Sequence, residues 1–88
     1  MDGKYLNVNI ITPQKKFFEG DARSITLPGS KSPFQVLINH APIVTSLERG
    51  RITIESDDGE KLFFESGEGF AEVRENHVYV AVESCRQI

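Results

Sequence analysis

Three side chains in this 88-residue chain have the chemistry of a catalytic or metal-binding group: His40, His77 and Cys85. Histidine can act as a general base, and a cysteine thiolate can act as a nucleophile or a redox group. None of the three belongs to a recognised catalytic motif, and structural metal sites usually carry paired ligands at short spacing. The sequence therefore favours a turn or interface histidine at position 40, a solvated turn histidine at 77 and a structural thiol at 85.

Other motifs that resemble active-site elements are better explained as turns and loops. Asp57 and Asp58 form a carboxylate pair, but Asp-Asp-Gly is also an ordinary hairpin tip. The Gly67–Gly69 segment resembles a phosphate-binding turn, yet a dinucleotide site needs a third glycine and a following helix. The P-loop pattern is absent from the sequence, and the Lys15–Lys16 pair fits a solvated loop. We therefore expect a non-catalytic protein that needs no cofactor and no metal.

Composition narrows the remaining classes of function. The net charge of −3 and the pI near 5.3 argue against nucleic-acid binding, which needs a basic face. The longest apolar run is Val78–Val82, far short of the roughly 20 residues of a membrane helix, so we expect no direct membrane insertion. The lone Cys85 precludes an internal disulfide and fits a reducing compartment. Met1–Lys4 has no signal pattern and is interpreted as a mature cytosolic start.

Period-two alternation of apolar and polar residues dominates the chain and predicts strands with one buried face. Turn signals separate these runs at short intervals, and no window has a helical period. The pattern predicts one domain over residues 1–88: an all-β, antiparallel β-sandwich of about eight to ten short strands. The alternating apolar positions are Leu6, Val8, Ile10, Ile25, Leu27, Ile52, Ile54, Val78, Val80 and Val82.

Two local segments carry the clearest structural signals. Asp58-Gly59 between two apolar runs predicts a hairpin. The Phe34–Pro42 segment predicts a strand, a tight corner at Asn39-His40 and a second extended run, Ile43–Leu47, because Pro42 favours extended backbone before it. From residues alone, the chain is an acidic all-β domain that acts as a protein-interaction module. The alternative is a small β-sandwich that binds a ligand in its open end; an enzyme is the least supported class.

The order of several motifs resembles the epsilon subunit of F-type ATP synthases (delta in mitochondrial naming). The central signature is His40-Ala41-Pro42 followed by Leu47 and Gly50. Similar motifs occur at Phe18–Gly20, Ser66–Val73 and Val78–Glu83.

The chain also departs from the family pattern in two places. Gln35 and Ile38 stand where the family usually has Gly and Pro. Glu68 resembles a one-residue insertion, which makes it a candidate for a β-bulge.

The resemblance implies a role in the central stalk, where the sandwich joins the gamma subunit to the c ring. The rotating assembly couples proton or sodium flow to ATP synthesis, so the chain is expected as a peripheral protein on the cytoplasmic face of an energy-coupling membrane, such as the bacterial inner membrane. The family implies a gamma-side set of Thr12, His40, Ala41, Pro42 and Thr45. It implies a ring-side set of Gly29, Ser30, Lys31, Ser32, Pro33 and Phe34.

Most epsilon subunits continue into a C-terminal helical hairpin that can bind nucleotide or inhibit the motor. This sequence has five residues after Glu83, too few for such a hairpin. The resemblance therefore implies a chain that couples rotation without binding ATP and without inhibiting hydrolysis.

Overall fold

Nine β-strands make up the fold in this computed structural model, which describes residues 5–88. No helix occurs within that range, so the prediction of an all-β fold with eight to ten strands is confirmed. The interpreted N-terminal start, Met1–Lys4, lies outside the described residues. The strands are β1 (Leu6–Ile11), β2 (Lys16–Leu27), β3 (Phe34–Val36), β4 (Ile43–Leu47), β5 (Gly50–Ser56), β6 (Lys61–Ser66), β7 (Gly69–Arg74), β8 (His77–Val82) and β9 (Cys85–Gln87).

The strands form one hydrogen-bonded sheet in the order β4-β7-β8-β1-β2-β5-β6-β9, with β3 also paired to β2. Neighbours are antiparallel except for β1 and β8, which run parallel. A parallel pair cannot be joined by a tight turn, and these two strands come from opposite ends of the chain. The sheet is therefore mixed, with a parallel pair that brings the first and last parts of the sequence together.

The sheet folds over on itself at two places. The first is β2, whose start pairs with β1 and whose end pairs with β5 and β3, with a register shift between Ala22 and Ser24. At the second, the connection from β6 to β7 lies opposite the connection from β8 to β9. The two halves of the sheet then face each other across one core, as in a β-sandwich.

Glu68 lies in the connection between β6 and β7, and the strand pairing on either side of it excludes a bulge. Ser66 pairs with Cys85 and Gly69 pairs with Val82, so two residues on one side face two on the other. The intervening ladder is intact: Gly67 N donates to Ser84 O at 2.9 Å, and Glu83 N donates to Glu68 O at 3.0 Å. The interpretation of Glu68 as a candidate bulge is wrong, since a bulge requires two residues opposite one.

The core contains the alternating apolar positions expected from the sequence. Burying each such side chain contributes about 1.5–3 kcal/mol relative to exposure. Phe64 adds an edge-to-face contact with Phe18, at 6.2 Å between ring centroids. The buried apolar residues are Leu6, Val8, Ile10, Ala22, Ile25, Leu27, Val36, Leu47, Ile52, Ile54, Phe64, Ala71, Val73, Val78, Val80 and Val82.

The hairpin predicted at Asp58-Gly59 forms, and a second tight turn joins β7 to β8. Gly59, with φ of 90°, closes the β5–β6 hairpin. Glu75 and Asn76, with φ of 51° and 63°, form the two-residue loop between β7 and β8. Two successive left-handed residues make a type I′ turn, whose twist matches that of the flanking strands.

Candidate interaction surfaces

The His40–Pro42 loop, which joins β3 to β4, is held by its own backbone and by one side chain. His40 N donates to Leu37 O at 3.2 Å. His40 Nδ1 lies 2.7 Å from Ala41 O. Since a carbonyl oxygen only accepts, Nδ1 carries the proton in this contact. His40 is half-buried, while Ala41 and Pro42 are exposed. The loop therefore presents a small apolar corner beside an oriented imidazole.

A pair of asparagines fastens this loop to the β7–β8 hairpin. Asn39 N donates to Asn76 Oδ1 at 2.7 Å, and Asn76 Nδ2 donates to Asn39 Oδ1 at 3.2 Å. We call these two hydrogen bonds the Asn clasp. Asn39 has φ of 64°, a left-handed conformation that asparagine tolerates better than most residues. The corner predicted at Asn39-His40 is thus confirmed and is tied to a distant part of the chain.

Thr12 lies at the other end of the same sheet half. It follows β1, where its hydroxyl accepts from Gln14 N at 3.3 Å and from Lys15 N at 3.2 Å. The Asn76 hairpin lies beside the start of β1, because His77 pairs with Asn7. The five residue-to-residue steps from Asn7 to Thr12 span roughly 17 Å along the chain. The gamma-side set is therefore spread along the sheet and does not form one compact patch.

The side chain of Thr45 lies on the inner face of β4. On β4 it alternates in phase with half-buried Ile43 and buried Leu47, whereas Val44 and Ser46 point outward. The residues of β4 that a partner could reach most readily are therefore Val44 and Ser46.

An exposed apolar patch covers the outer surface of this sheet half. Phe70, Ala81 and Ile11 lie side by side on β7, β8 and β1, and Val44 and Tyr79 flank Glu72 in the adjacent row. Val44 is 74% exposed and Phe70 is 64% exposed, the two highest values among the exposed large apolar residues of the described range. We call Ile11, Val44, Phe70, Tyr79 and Ala81 the outer face. Patches of this kind mark protein-binding surfaces.

The sequence analysis did not predict the outer face, although the residue pattern of β4 and β7 contains a signal for it. Ile43-Val44 and Phe70-Ala71 are adjacent apolar pairs, so both faces of β4 and β7 carry apolar residues. A strand that is apolar in both phases is typical of burial on both faces. The second face of this sheet half is therefore expected to be covered by a partner.

The ring-side segment lies at the end of β4 opposite the His40 loop. Gly29 forms a bridge with Leu47, and Glu48 N donates to Pro28 O at 2.9 Å. The hydroxyl oxygens of Ser30 and Ser46 lie 2.7 Å apart. Gly29 is required here, because a Cβ would lie 2.7 Å from Ser32 O. These contacts hold a short loop whose exposed residues are Ser30–Pro33.

Phe34 belongs to strand β3 more than to this loop. It pairs with Leu27, is half-buried and packs against the core. Its ring lies close under Gly29, where an added Cβ would meet Cδ1 at 2.8 Å. Phe34 therefore supports the loop from beneath, and the polar residues above it form the accessible part.

Two of the open grooves at the loop end of residues 5–88 have linings of opposite charge. The larger, of about 800 Å³, runs between the Thr12 turn and Ser30, with an apolar floor that includes Phe70. Glu48, Glu68 and Glu83 also line this groove and make it acidic. The smaller groove, of about 500 Å³, has Arg49, Arg51, Arg86 and Cys85 in its lining.

The three side chains considered for catalysis or metal binding, His40, His77 and Cys85, lie in two separate parts of the fold. Both histidines lie at the hairpin end, where His77 stacks on Tyr79 at 6.1 Å between ring centroids. Cys85 lies on β9 opposite Ser66, and burial raises the pKa of its thiol, which keeps it protonated at neutral pH. Within residues 5–88, no three His, Cys, Asp or Glu side chains gather as a metal site would require. The same range contains no helix that could cross a membrane.

Comparison with known proteins gives a consistent result over the described range. Residues 5–88 match the family described as "ATP synthase, Delta/Epsilon chain, beta-sandwich domain". The ATP synthase epsilon chain of Chlorobaculum tepidum is 36% identical over 80 residues, which cover 91% of this chain and 91% of that one. That of Rickettsia bellii is 38% identical over 85 residues, 94% of this chain and 79% of the relative. The Protochlamydia amoebophila epsilon chain is 36% identical, but this chain spans only 57% of its length.

Solved structures share the fold at lower identity. A chain in the cryo-EM structure of the Euglena gracilis mitochondrial ATP synthase (OSCP/F1/c-ring) superposes with a TM-score of 0.90 at 19% identity, covering 96% of this chain and 54% of that chain. A chain of the Tetrahymena thermophila mitochondrial ATP synthase central stalk/c-ring gives a TM-score of 0.77 at 18% identity, covering 98% and 69%. At this identity the similarity establishes the fold, and it agrees with the sandwich described above.

Proposed function

The chain belongs to the ATP synthase delta/epsilon family, and we propose that it is the non-catalytic central-stalk subunit that joins the gamma subunit to the c ring. In this role it turns with the rotor and couples proton or sodium flow to ATP synthesis. It is then a peripheral protein on the cytoplasmic face of an energy-coupling membrane. The matches do not favour the alternative of a separate ligand-binding module.

The observation that carries this proposal is the position of the two predicted contact loops on one strand. The His40–Pro42 loop enters β4 at Ile43, and the Gly29 bridge is made to Leu47 at its other end. The two loops are therefore separated by the length of β4. A subunit between two partners needs such an arrangement, with one contact at each end.

The material between the two loops suits the transmission of torque. β4 is hydrogen-bonded to β7 along its whole length, from Ile43–Val73 to Leu47–Gly69. The inner sides of these strands pack into the close-packed core, which deforms little under load. A torque applied at one loop is therefore transmitted to the other loop without shear of the strands between them.

The outer face supplies the area that a permanent contact with gamma requires. A stable interface buries about 1,200–2,000 Å² in total, more than a three-residue loop can provide. The outer face adds aromatic and aliphatic side chains next to β4, including Phe70 and Tyr79, which are typical anchors of protein interfaces. We assign the gamma contact to the outer face together with the His40–Pro42 loop, and the ring contact to the Ser30–Pro33 loop.

The experiment is a binding titration of purified gamma subunit with the chain and with Phe70→Glu. Phe70 is 64% exposed, so the glutamate should leave the free chain folded. In the complex it would bury an unpaired carboxylate, at a cost of several kcal/mol, and binding should fall below detection. Gln87→Glu on β9, at the opposite edge of the sheet, is the matched control and should bind as the unmodified chain does. Undiminished binding by Phe70→Glu would show that gamma does not use the outer face.

A further inference from the structure

The Asn clasp connects two loops that are 37 residues apart in sequence. Its hydrogen bonds are reciprocal, since each asparagine both donates and accepts. Asn39 donates its backbone N–H, so the clasp fixes the backbone of the residue that immediately precedes His40. The other hydrogen bonds of the His40 loop are local, to Leu37 and Ala41, and Ile38 packs against the core just before the clasp. The clasp therefore supplies the hydrogen bonds that join this loop to the β7–β8 hairpin, in the sheet half that bears the outer face.

Asn76 is itself anchored at its backbone. Its carbonyl accepts from Asn7 N at 2.8 Å, which ties the hairpin to the start of β1. The type I′ turn fixes the hairpin further, because the register from Arg74–His77 onward is regular. The Asn76 side chain therefore projects from a rigid support, whereas without it residues 40–42 would have only local hydrogen bonds between the core contact of Ile38 and the start of β4.

We propose that Asn76 is a positioning residue for the contact with gamma: acting through Asn39, it holds the His40–Pro42 loop in its binding geometry. This inference rests on the proposed function. A loop that is ordered before binding does not lose that freedom on association, so preorganisation raises affinity without a new contact. Asn76 thereby strengthens the gamma contact through the clasp, without a contact of its own to gamma.

The test compares three variants of the full chain. Asn76→Gly removes the clasp but keeps a residue suited to left-handed φ. Glu75→Gly, the matched control, changes the neighbouring left-handed residue and leaves the clasp intact. Asn76→Asp keeps an oxygen to accept from Asn39 N–H. Its second oxygen replaces the Nδ2 donor, so the clasp re-forms with the Asn39 side-chain amide turned over to donate its own Nδ2.

Two measurements are made on each variant: the dissociation constant for purified gamma, and the amide hydrogen exchange of Asn39. We expect Asn76→Gly to weaken gamma binding roughly 5- to 20-fold, because binding must then order the backbone of about one loop residue that the clasp no longer holds, and to speed exchange at Asn39. Glu75→Gly should change neither value, and Asn76→Asp should restore most of both. Rescue by aspartate distinguishes positioning from a general loss of stability.

The outcomes separate the inference from the proposed function. Binding of gamma by the unmodified chain tests the function, and failure there overturns both. If the unmodified chain binds but Asn76→Gly binds equally well with an unprotected Asn39 amide, the clasp does not position the loop. Unchanged protection of Asn39 in Asn76→Gly would also overturn the inference, because something else then holds the loop. If Asn76→Gly does not fold, the aspartate variant decides: weak binding with a protected Asn39 amide would refute the positioning role.

Discussion

The hydroxyl oxygens of Ser30 and Ser46 lie 2.7 Å apart, and this contact fixes the Ser30–Pro33 loop to the C-terminal end of β4. Ser30 Oγ also lies 3.3 Å from Ser46 O, so one side chain makes both contacts. The loop therefore moves with the strand that carries the His40 loop at its other end. In the proposed assembly, a loop attached in this way would pass force from its partner to β4.

The first prediction concerns the ring contact. Ser32→Cys, in a Cys85→Ser background, should form a disulfide with a cysteine placed in the polar loop of the c subunit, because Ser32 lies on the exposed part of the Ser30–Pro33 loop. Cross-linked product is measured on a non-reducing gel. Asp57→Cys, in the turn after β5, is the control and should give no product. Failure at Ser30, Lys31 and Ser32 alike in an intact complex would refute the assignment.

The second prediction concerns the His40 loop. His40→Glu should reduce gamma binding at least tenfold, since the carboxylate would be buried without a partner at the interface. Binding is measured by titration with purified gamma. Gln35→Glu, an isosteric change at an exposed site on β3, should bind normally. Equal affinities for the two variants would remove His40 from the interface.

The third prediction concerns backbone packing at Gly69. A Cβ at this position would lie 2.0 Å from Ala81 O and 2.7 Å from Val82 Cα, and neither backbone atom can move aside. Gly69→Ala should therefore lower the free energy of unfolding by about 1–3 kcal/mol, the usual cost of overpacking. Gly20→Ala is the control, because its Cβ would meet the Phe18 ring at an ordinary 3.4 Å. Urea denaturation measures both, and equal midpoints would contradict the prediction.

The fourth prediction concerns the acid dependence of the β5–β6 hairpin. The Ser56 hydroxyl and then Glu60 N–H, both donating to Asp58, lower the pKa of that carboxyl. A carboxyl with a lowered folded pKa stabilises the fold above its unfolded pKa, and this contribution is lost as pH falls through the folded value. Asp58→Ala should therefore be less stable than the unmodified chain at pH 7, with a smaller difference at pH 2.

The control for this prediction is the adjacent carboxylate. Asp57→Ala should show no comparable pH-dependent difference, since the Ser56 and Glu60 hydrogen bonds are made to Asp58. Urea denaturation of the three proteins at both pH values gives the comparison. A constant difference between Asp58→Ala and the unmodified chain would refute the role of the ionised carboxylate.

The fifth prediction concerns Cys85. Because burial raises the pKa of the thiol, little thiolate is present at neutral pH, and the thiolate is the reactive form. Alkylation by iodoacetamide at pH 8 should be slower for the folded chain than for the chain in urea, and the gap should narrow as pH rises past the folded pKa. Equal rates at pH 8 would show that Cys85 is solvated in the folded protein.

Local residue patterns predicted the strands and turns well. The alternation at Leu6, Val8 and Ile10 identifies a strand and its buried side, because period two is a local property of extended backbone. Asn39 and Gly59 identified turns for the same reason, since each turn depends on the φ of a few residues. The His40-Ala41-Pro42 motif and its neighbours were also sufficient to identify the family.

Only the tertiary structure decided which of these elements lie together. The parallel pairing of β1 with β8, the constant register past Glu68 and the Asn clasp each join residues far apart in sequence. The outer face depends on the same long-range pairing, because Phe70 and Ile11 become neighbours only through Ala81 between them. Alternation specifies which side of a strand is buried, but it does not specify the neighbouring strand. For that reason the sequence determined the elements, whereas the long-range bridge between Gly29 and Leu47 decided that the two predicted contact loops lie at opposite ends of β4.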